Sequence, residues 1–292
     1  MLYLVLSILS STAIILIFKL FPRFQIQSLQ AIVFNYITCL VCGWIALGEF
    51  PISKETIQVS WLPYALTLGL IFIFTFNIAA NTVKYFGATI AAVMQRMSLV
   101  VSVPFAIIAY QEPLPILKII GLLAALLSII FINMPDKKEK MTADTQRHTL
   151  LWTLPLLFWL ASGVIEIIML YVERDTSGKA TLLFTTFIFT TAAFLGSLYI
   201  IFNLITRQAT LQWRNLVAGI CLGIPNFGSV YFLLKSLSAG WHGSVVFPIN
   251  NVTIIGLSAL LAWLLFSEKL SKINILGVLL AILAILLIAV AT

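Results

Sequence analysis

Charged side chains are scarce in this sequence. Asp, Glu, Lys and Arg make up 9% of its 292 residues, whereas a typical soluble domain carries roughly 25%. Apolar residues take their place, reaching 61% of the chain and giving a mean hydropathy of +1.10. This composition excludes an ordinary soluble domain and predicts a polytopic membrane protein.

Histidine and cysteine are also rare, which limits the chemistry that the chain can perform. An intramembrane enzyme would need converging His, Asp or Cys side chains, but the sequence has only His148 and His242, and its Asp residues all fall in predicted loops. No H-E-x-x-H or G-x-x-x-x-G-K-[ST] motif occurs, which argues against a metalloprotease and against ATP-driven pumping. Cys39 and Cys42 lie in an apolar run, where cysteine often packs as a small hydrophobe. We therefore expect no enzymatic activity, no cofactor and no bound metal.

Ten apolar runs are long enough to cross a bilayer as helices. A transmembrane helix needs about 20 apolar residues, and these runs are too long and too uniformly apolar for the alternating strands of a membrane barrel. The sequence therefore predicts an all-α fold with ten transmembrane helices. Their approximate limits are 2–20, 29–47, 62–84, 88–110, 115–133, 149–171, 180–203, 214–237, 243–266 and 273–291. The first run lacks a basic leader and a small-residue cleavage site, so we interpret it as a retained helix.

The chain repeats a short motif at an offset of 156 residues, which indicates an internal duplication. The motif is Glu-x-Leu followed by a glycine, and its copies are Glu112, Leu114 and Gly121, then Glu268, Leu270 and Gly277. Ten helices in two copies give five helices per copy. Because five is odd, the second copy must enter the bilayer from the opposite side, which is the inverted repeat typical of secondary transporters.

The predicted organisation follows from this duplication. A first five-helix repeat covers 1–133, a hydrophilic linker covers 134–148, and a second five-helix repeat covers 149–292. Glu112 and Glu268 begin the last helix of each repeat. We expect these carboxylates to be structural, because a carboxylate at a helix N-terminus accepts hydrogen bonds from free backbone N–H groups.

With these features the chain resembles the EamA-like family of the drug/metabolite transporter superfamily. Members have ten helices in two five-helix repeats, each with a Glu-x-Leu loop and a glycine about nine positions after the Glu, as at Glu112 and Gly121 and again at Glu268 and Gly277. The resemblance covers essentially the whole chain. It implies alternating-access transport of a small organic solute such as a metabolite, an amino acid or a drug-like compound, mostly outward and often coupled to protons.

Two ionisable side chains lie deep inside predicted helices. Glu166 lies within the run at 149–171 and Arg96 within the run at 88–110. Because a charge at the bilayer centre is costly, such residues usually face a polar interior and mark a pathway. Glu166 is the predicted site of proton or cation coupling, and Arg96 suits an anionic group. The alternative interpretation is that Glu166 pairs structurally with Arg96 or with hydroxyl groups of a neighbouring helix.

Further polar and aromatic side chains on the predicted helices complete the candidate substrate-binding set. These residues are Gln95, Asn250, Asn251, Asn77, Asn81, Asn226, Tyr231 and Trp159. Several lie near Pro or Gly, and irregular helices in transporters tend to line the substrate cavity. The alternative for the amide side chains is that they join helices to one another, as polar residues often do in helix bundles.

The function expected from these observations is secondary transport of a small organic solute, with export coupled to a proton or a solute gradient. A receptor-like or structural membrane protein is the first alternative, and an intramembrane enzyme is the second. We expect an integral, multi-pass protein of the bacterial plasma (inner) membrane with both termini on one side. Basic residues near helix ends favour a linker on the cytoplasmic side of the membrane. The family resemblance instead implies that the two termini lie on the cytoplasmic side, so the orientation of the chain in the membrane stays open.

The net charge of +7 reflects residues that face lipid headgroups and requires no nucleic acid. Ten helices suffice for a pathway in a monomer.

Overall fold

The computed structural model describes residues 1–48, 58–86, 88–134, 152–206, 210–266 and 271–291. Within these ranges the fold is α-helical and contains no strand. The helices are α1 (Leu2–Leu20), α2 (Ser28–Leu47), α3 (Leu62–Phe86), α4 (Ala88–Arg96), α5 (Leu99–Tyr110), α6 (Ile116–Ile132), α7 (Thr153–Asp175), α8 (Thr181–Ile205), α9 (Trp213–Ser238), α10 (Gly243–Phe266) and α11 (Lys272–Val290). The linker at 135–148 and the second motif residues Glu268 and Leu270 lie outside the described residues.

Most of these helices are long and apolar enough to cross a membrane. Nine stretches of the described chain meet this description, with α4 and α5 counted together over Ile90–Tyr110. A further apolar helix, α6, has 17 residues. The all-α prediction is confirmed, and the helices are compatible with a polytopic membrane protein. The count of ten transmembrane helices stays a prediction.

The fourth apolar run is divided into two helices at Met97 and Ser98. Here several backbone N–H groups bond to the carbonyl three residues earlier, as from Ser98 to Gln95 and from Val101 to Ser98, which tightens the helix. Pro104 follows within α5 and provides no backbone N–H group. The break therefore interrupts an apolar helix beside Arg96.

The first compact unit comprises 1–73 and 168–240. In it α2 packs against α8 and α9, and α1 packs against α9. Glycines allow the close approach of α9 to α2: a Cβ atom at Gly223 would lie 2.8 Å from the carbonyl oxygen of Asn35. Small residues at such contacts are typical of helix packing in membranes.

The second compact unit comprises 74–167 and 241–292. Its core lies where α6 and α11 pack on each other and on α10. Small and branched side chains from α5, α6, α10 and α11 fill this core, including Val103, Ala125, Ile129, Val252 and Ala284. Both units combine helices from the two predicted repeats, so the repeat boundaries at 133 and 149 stay a prediction.

Within the second unit, glycine contacts between α6 and α11 are reciprocal. A Cβ atom at Gly121 would lie 2.7 Å from the Ile288 side chain, and a Cβ atom at Gly277 would lie 2.6 Å from the backbone nitrogen of Ile132. Gly277 and Ile288 follow Gly121 and Ile132 by the same 156 positions. The two motif glycines therefore have equivalent roles. Gly121 lets the start of α6 approach the end of α11, and Gly277 lets the start of α11 approach the end of α6.

The first unit shows the same reciprocity. Gly43 on α2 lies against Thr186 on α8, and Gly196 on α8 lies against Val33 on α2. Gly196 follows Gly43 by 153 positions, and Thr186 follows Val33 by the same number. A further set of contacts pairs Gly69 with Thr191 and Gly223 with Thr38. Equivalent positions of the two predicted repeats thus make equivalent contacts inside each unit.

Candidate functional site

Two charged residues and one amide of the predicted set meet in the second unit, each on a different helix. Arg96 is the last residue of α4, Glu166 lies within α7, and Asn251 lies within α10. Asn251 is only 2% exposed, whereas Arg96 and Glu166 are half-buried. Buried polar groups of this kind require partners.

Asn251 connects Arg96 to Glu166. Its Oδ1 atom accepts a hydrogen bond from Arg96 Nη1 at 2.8 Å, and its Nδ2 atom donates to Glu166 Oε1 at 3.0 Å. Because a guanidinium can only donate and a carboxylate can only accept, both bonds hold the amide in one orientation. Arg96 and Glu166 are therefore joined through a neutral side chain.

The break between α4 and α5 supplies further polar groups to Glu166. Ser98 Oγ donates to Glu166 Oε1 at 3.1 Å. One turn later, the Ser102 hydroxyl lies close enough to interact with the carboxylate but outside hydrogen-bond geometry. Glu166 Oε2 is buried and has no hydrogen-bond partner among the described residues. Sequence reasoning missed both serines, although their four-residue spacing beside Arg96 places them on one helix face.

Trp159 fixes the break from the side of α7. Its indole Nε1 donates to the carbonyl oxygen of Met97 at 2.9 Å, which also accepts from the backbone N–H group of Val100. Gly163 follows one turn later and lets α7 approach Val101 of α5, because a Cβ atom there would lie 2.7 Å from the valine Cβ. Trp159 thus contacts the backbone between Arg96 and Ser98.

The neighbours Gln95 and Asn250 occupy different environments. Gln95 is exposed, whereas Asn250 is buried beside Asn251 in α10. We define the Arg96 cluster as Arg96, Ser98, Glu166 and Asn251. Among the predicted site residues, the structure joins Arg96, Asn251 and Glu166 by hydrogen bonds and places Trp159 against Met97.

Asn226 and Tyr231 lie in the first unit, on α9. The Asn226 amide donates to Asn35 Oδ1 of α2 at 3.1 Å, and Asn35 is buried. This contact agrees with the alternative interpretation that amide side chains join helices. Tyr231 stacks on Phe227 with ring centroids 5.9 Å apart, so it belongs to an aromatic cluster of that unit.

Asn77 and Asn81 lie on α3, in the second unit, and both are exposed. The Asn81 amide donates to the backbone carbonyl of Asn77 at 2.9 Å. This bond stays within one helix. The structure therefore does not join these two residues to the Arg96 cluster by any described hydrogen bond.

The motif carboxylate Glu112 caps α10 rather than its own helix, so the expectation that it serves α6 is wrong. The backbone N–H groups of Gly243 and Ser244 each donate to it at 2.9 Å, and the Ser244 hydroxyl donates as well. His242 Nδ1 lies 3.6 Å from Oε1. Burial opposes the charged form, but these donors and His242 outweigh burial and lower the pKa of Glu112.

Comparisons with known proteins show a similar fold and say nothing of the activity. No family model matches the chain. A protein of Haemophilus influenzae (strain Rd), described as uncharacterized, is 28% identical over 290 residues, which are 97% of this chain and 95% of that protein. A protein of known crystal structure superimposes with a TM-score of 0.74 at 15% identity, over 99% of this chain and 96% of the other. The structural likeness concerns the fold alone.

Proposed function

We propose that the protein is a secondary transporter that moves a small organic solute across a membrane by alternating access. The observation that carries this proposal is the Arg96 cluster, in which Asn251 joins Arg96 to Glu166 among otherwise apolar helices. A charged residue at the bilayer centre costs at least about 2.5–3.5 kcal/mol on insertion scales, and such residues generally mark a pathway or a binding site.

Both charged side chains of the Arg96 cluster have polar atoms that could hydrogen-bond to a solute. Among the described residues, one hydrogen bond engages the Arg96 guanidinium, which has five N–H donors. Glu166 Oε2 has no partner there. Arg96 can therefore hold a carboxylate or phosphate of the solute, while Glu166 holds a cationic group or a proton. Exchange at Glu166 would couple the solute to a gradient, and we expect the net movement to be export.

The reciprocal glycine contacts support a duplicated architecture. Equivalent contacts occur between α6 and α11 and again between α2 and α8. They favour an inverted repeat of ten transmembrane helices, which is typical of secondary transporters. With the motif at Glu112 and Gly121, they favour membership of the EamA-like family. The bacterial source of the similar Haemophilus influenzae protein agrees with the bacterial inner-membrane location that we propose. Ten crossings would leave both termini on one side of that membrane.

A ligand-binding screen over several classes of solute tests this proposal. Purified protein would be heated with individual amino acids, nucleosides and organic cations, because a ligand at 100 times its Kd stabilises the folded state by about 2.7 kcal/mol. We expect at least one compound to raise Tm in the parent and not in Arg96→Lys or Glu166→Gln.

The exposed acid Asp175 provides the matched control, and Asp175→Asn should keep the stabilisation. Compounds that stabilise the parent, Arg96→Lys and Glu166→Gln equally would remove the Arg96 cluster from solute recognition.

A further inference from the structure

A second buried carboxylate lies in the first unit. Glu173 of α7 is 2% exposed. Its Oε2 atom accepts a hydrogen bond from Thr181 Oγ1, at the start of α8, at 2.9 Å. Its Oε1 atom is buried without a hydrogen-bond partner among the described residues. Because an unpaired buried charge is costly, this environment stabilises the ionised carboxylate poorly.

The Thr181 hydroxyl has two acceptors within reach. Its Oγ1 atom lies 2.9 Å from the carbonyl oxygen of Gly178 as well as 2.9 Å from Glu173 Oε2. A hydroxyl has one hydrogen and two lone pairs. When Thr181 donates to Glu173, it stabilises the carboxylate. When it donates to Gly178, a carboxylic acid at Glu173 can donate its own hydrogen to Thr181 Oγ1. The same atoms therefore accommodate both protonation states.

The turn that carries Gly178 is held firmly in this position. Gly178 has φ +71° and its N–H group donates to the backbone carbonyl of Glu173 at 3.1 Å. A Cβ atom at Gly178 would collide with Ser238 at the end of α9. Only glycine combines this backbone conformation with so close a contact. The turn therefore places the Gly178 carbonyl within hydrogen-bond distance of Thr181.

Charged and titratable groups from α9 face this carboxylate. Lys235 and Tyr231 both interact electrostatically with Glu173. No ion pair within 4.0 Å joins Lys235 to Glu173 in the described part of the chain. On its own helix, Arg174 and Asp175 follow directly in sequence. Lys235 therefore moderates the negative charge without neutralising it by direct contact.

We propose that Glu173, Thr181 and the Gly178 carbonyl form a proton-binding site that alternates between carboxylate and carboxylic acid. A proton from water adds to Oε2, and the Thr181 hydrogen turns from Oε2 to the Gly178 oxygen. Deprotonation reverses both steps and returns the proton to water. This site lies in a different unit from the Arg96 cluster and extends the proposed function, but proton binding to it can be measured without any transport.

Infrared difference spectroscopy of the purified parent protein during a pH titration tests the proposal. Protonation of Glu173 should produce a carboxylic acid C=O band that grows as the pH falls. We expect Glu173→Gln to abolish that band and Asp175→Asn, which changes an exposed acid two residues away, to retain it. A parent spectrum with no band that Glu173→Gln removes would overturn the proposal.

Thr181→Val provides a second measurement that keeps the carboxyl group in place. The variant removes the acceptor for the acid hydrogen, so we expect the Glu173 band to shift in frequency relative to the parent. An unshifted band would refute the hydrogen-bond switch. Thr181→Val tests the proton-binding site even where Glu173→Gln fails to fold. The infrared spectra of the parent and of Thr181→Val do not depend on transport, so a failure to find a transported solute would leave this test intact.

Discussion

Replacing Asn251 by Ala removes both hydrogen bonds that join Arg96 to Glu166. Hydrogen bonds to charged groups contribute roughly 1.5–3 kcal/mol each, whereas interhelical hydrogen bonds in a membrane protein average roughly 0.6 kcal/mol. Two bonds therefore span about 1.2–6 kcal/mol. Because Ser98 still donates to Glu166 Oε1, that oxygen keeps one partner. We expect Asn251→Ala to lower the free energy of unfolding by about 2–4 kcal/mol.

Reversible denaturation in detergent micelles measures this loss, and Ser98→Ala provides the matched control. Ser98 contributes one hydrogen bond to Glu166, at 3.1 Å, so on the same scale its removal should cost about 1–2 kcal/mol, half the loss expected for Asn251→Ala. A double-mutant cycle with Glu166→Gln isolates the coupling. The cost of Asn251→Ala should shrink in that background, because the charge that Asn251 serves is gone. Equal costs for the two alanine variants, or strict additivity with Glu166→Gln, would refute the bridging role.

Three further variants test other parts of the structure. Glu112→Gln should lower stability at neutral pH by about 1 kcal/mol. In the parent, this contribution is present above the ordinary carboxyl pKa of about 4.3 and disappears as the pH falls through the lowered folded-state pKa, so an unchanged pH–stability curve in the variant would contradict the cap. Gly277→Ala should cost about 1–3 kcal/mol because the new Cβ would lie 2.6 Å from a backbone nitrogen. Its control is Gly256→Ala, whose new Cβ would lie 3.9 Å from the Cβ atom of Ala281, so the free energy of unfolding should change by less than about 0.5 kcal/mol. Similar unfolding midpoints for the two variants would contradict the close packing at Gly277. Asn274→Ala removes the amide N–H groups that reach three carbonyls at and just after the end of α6, together with the side-chain oxygen that accepts from Ser271 at the start of α11. It should cost at least about 2 kcal/mol, which thermal unfolding of the variant would show or exclude.

The sequence predicts the helices well because hydrophobicity and length are local properties. The run at 2–20 agrees with α1, and the run at 29–47 agrees with α2 to within one residue. The run at 88–110 fails in detail, since it divides at Met97 and Ser98. Neither Pro104 nor the pair Gln95–Arg96 identifies the position of that break. Its partner Trp159 is 62 positions away, and such a contact depends on tertiary packing.

The candidate site was predictable only in part. The rarity of charge in apolar runs singled out Arg96 and Glu166, and Asn251 was one of several further polar candidates. Their connection could not be read from the sequence, because it joins residues 85 and 155 positions apart. Glu112 shows the same limit: a helix cap was expected, but its helix lies 131 positions away.

Transport by proteoliposomes would show whether the protein moves a solute across a membrane. Vesicles would be loaded with a mixture of the standard amino acids, nucleosides and small organic cations, and the released solutes would be identified by mass spectrometry under an imposed pH gradient. We expect the parent and Asp175→Asn to release at least one solute faster than protein-free vesicles do, at a rate that depends on the gradient. We expect Glu166→Gln to lose this release. Release from Glu166→Gln at the parental rate and pH dependence, or a parent that releases nothing beyond protein-free vesicles, would contradict the proposed function.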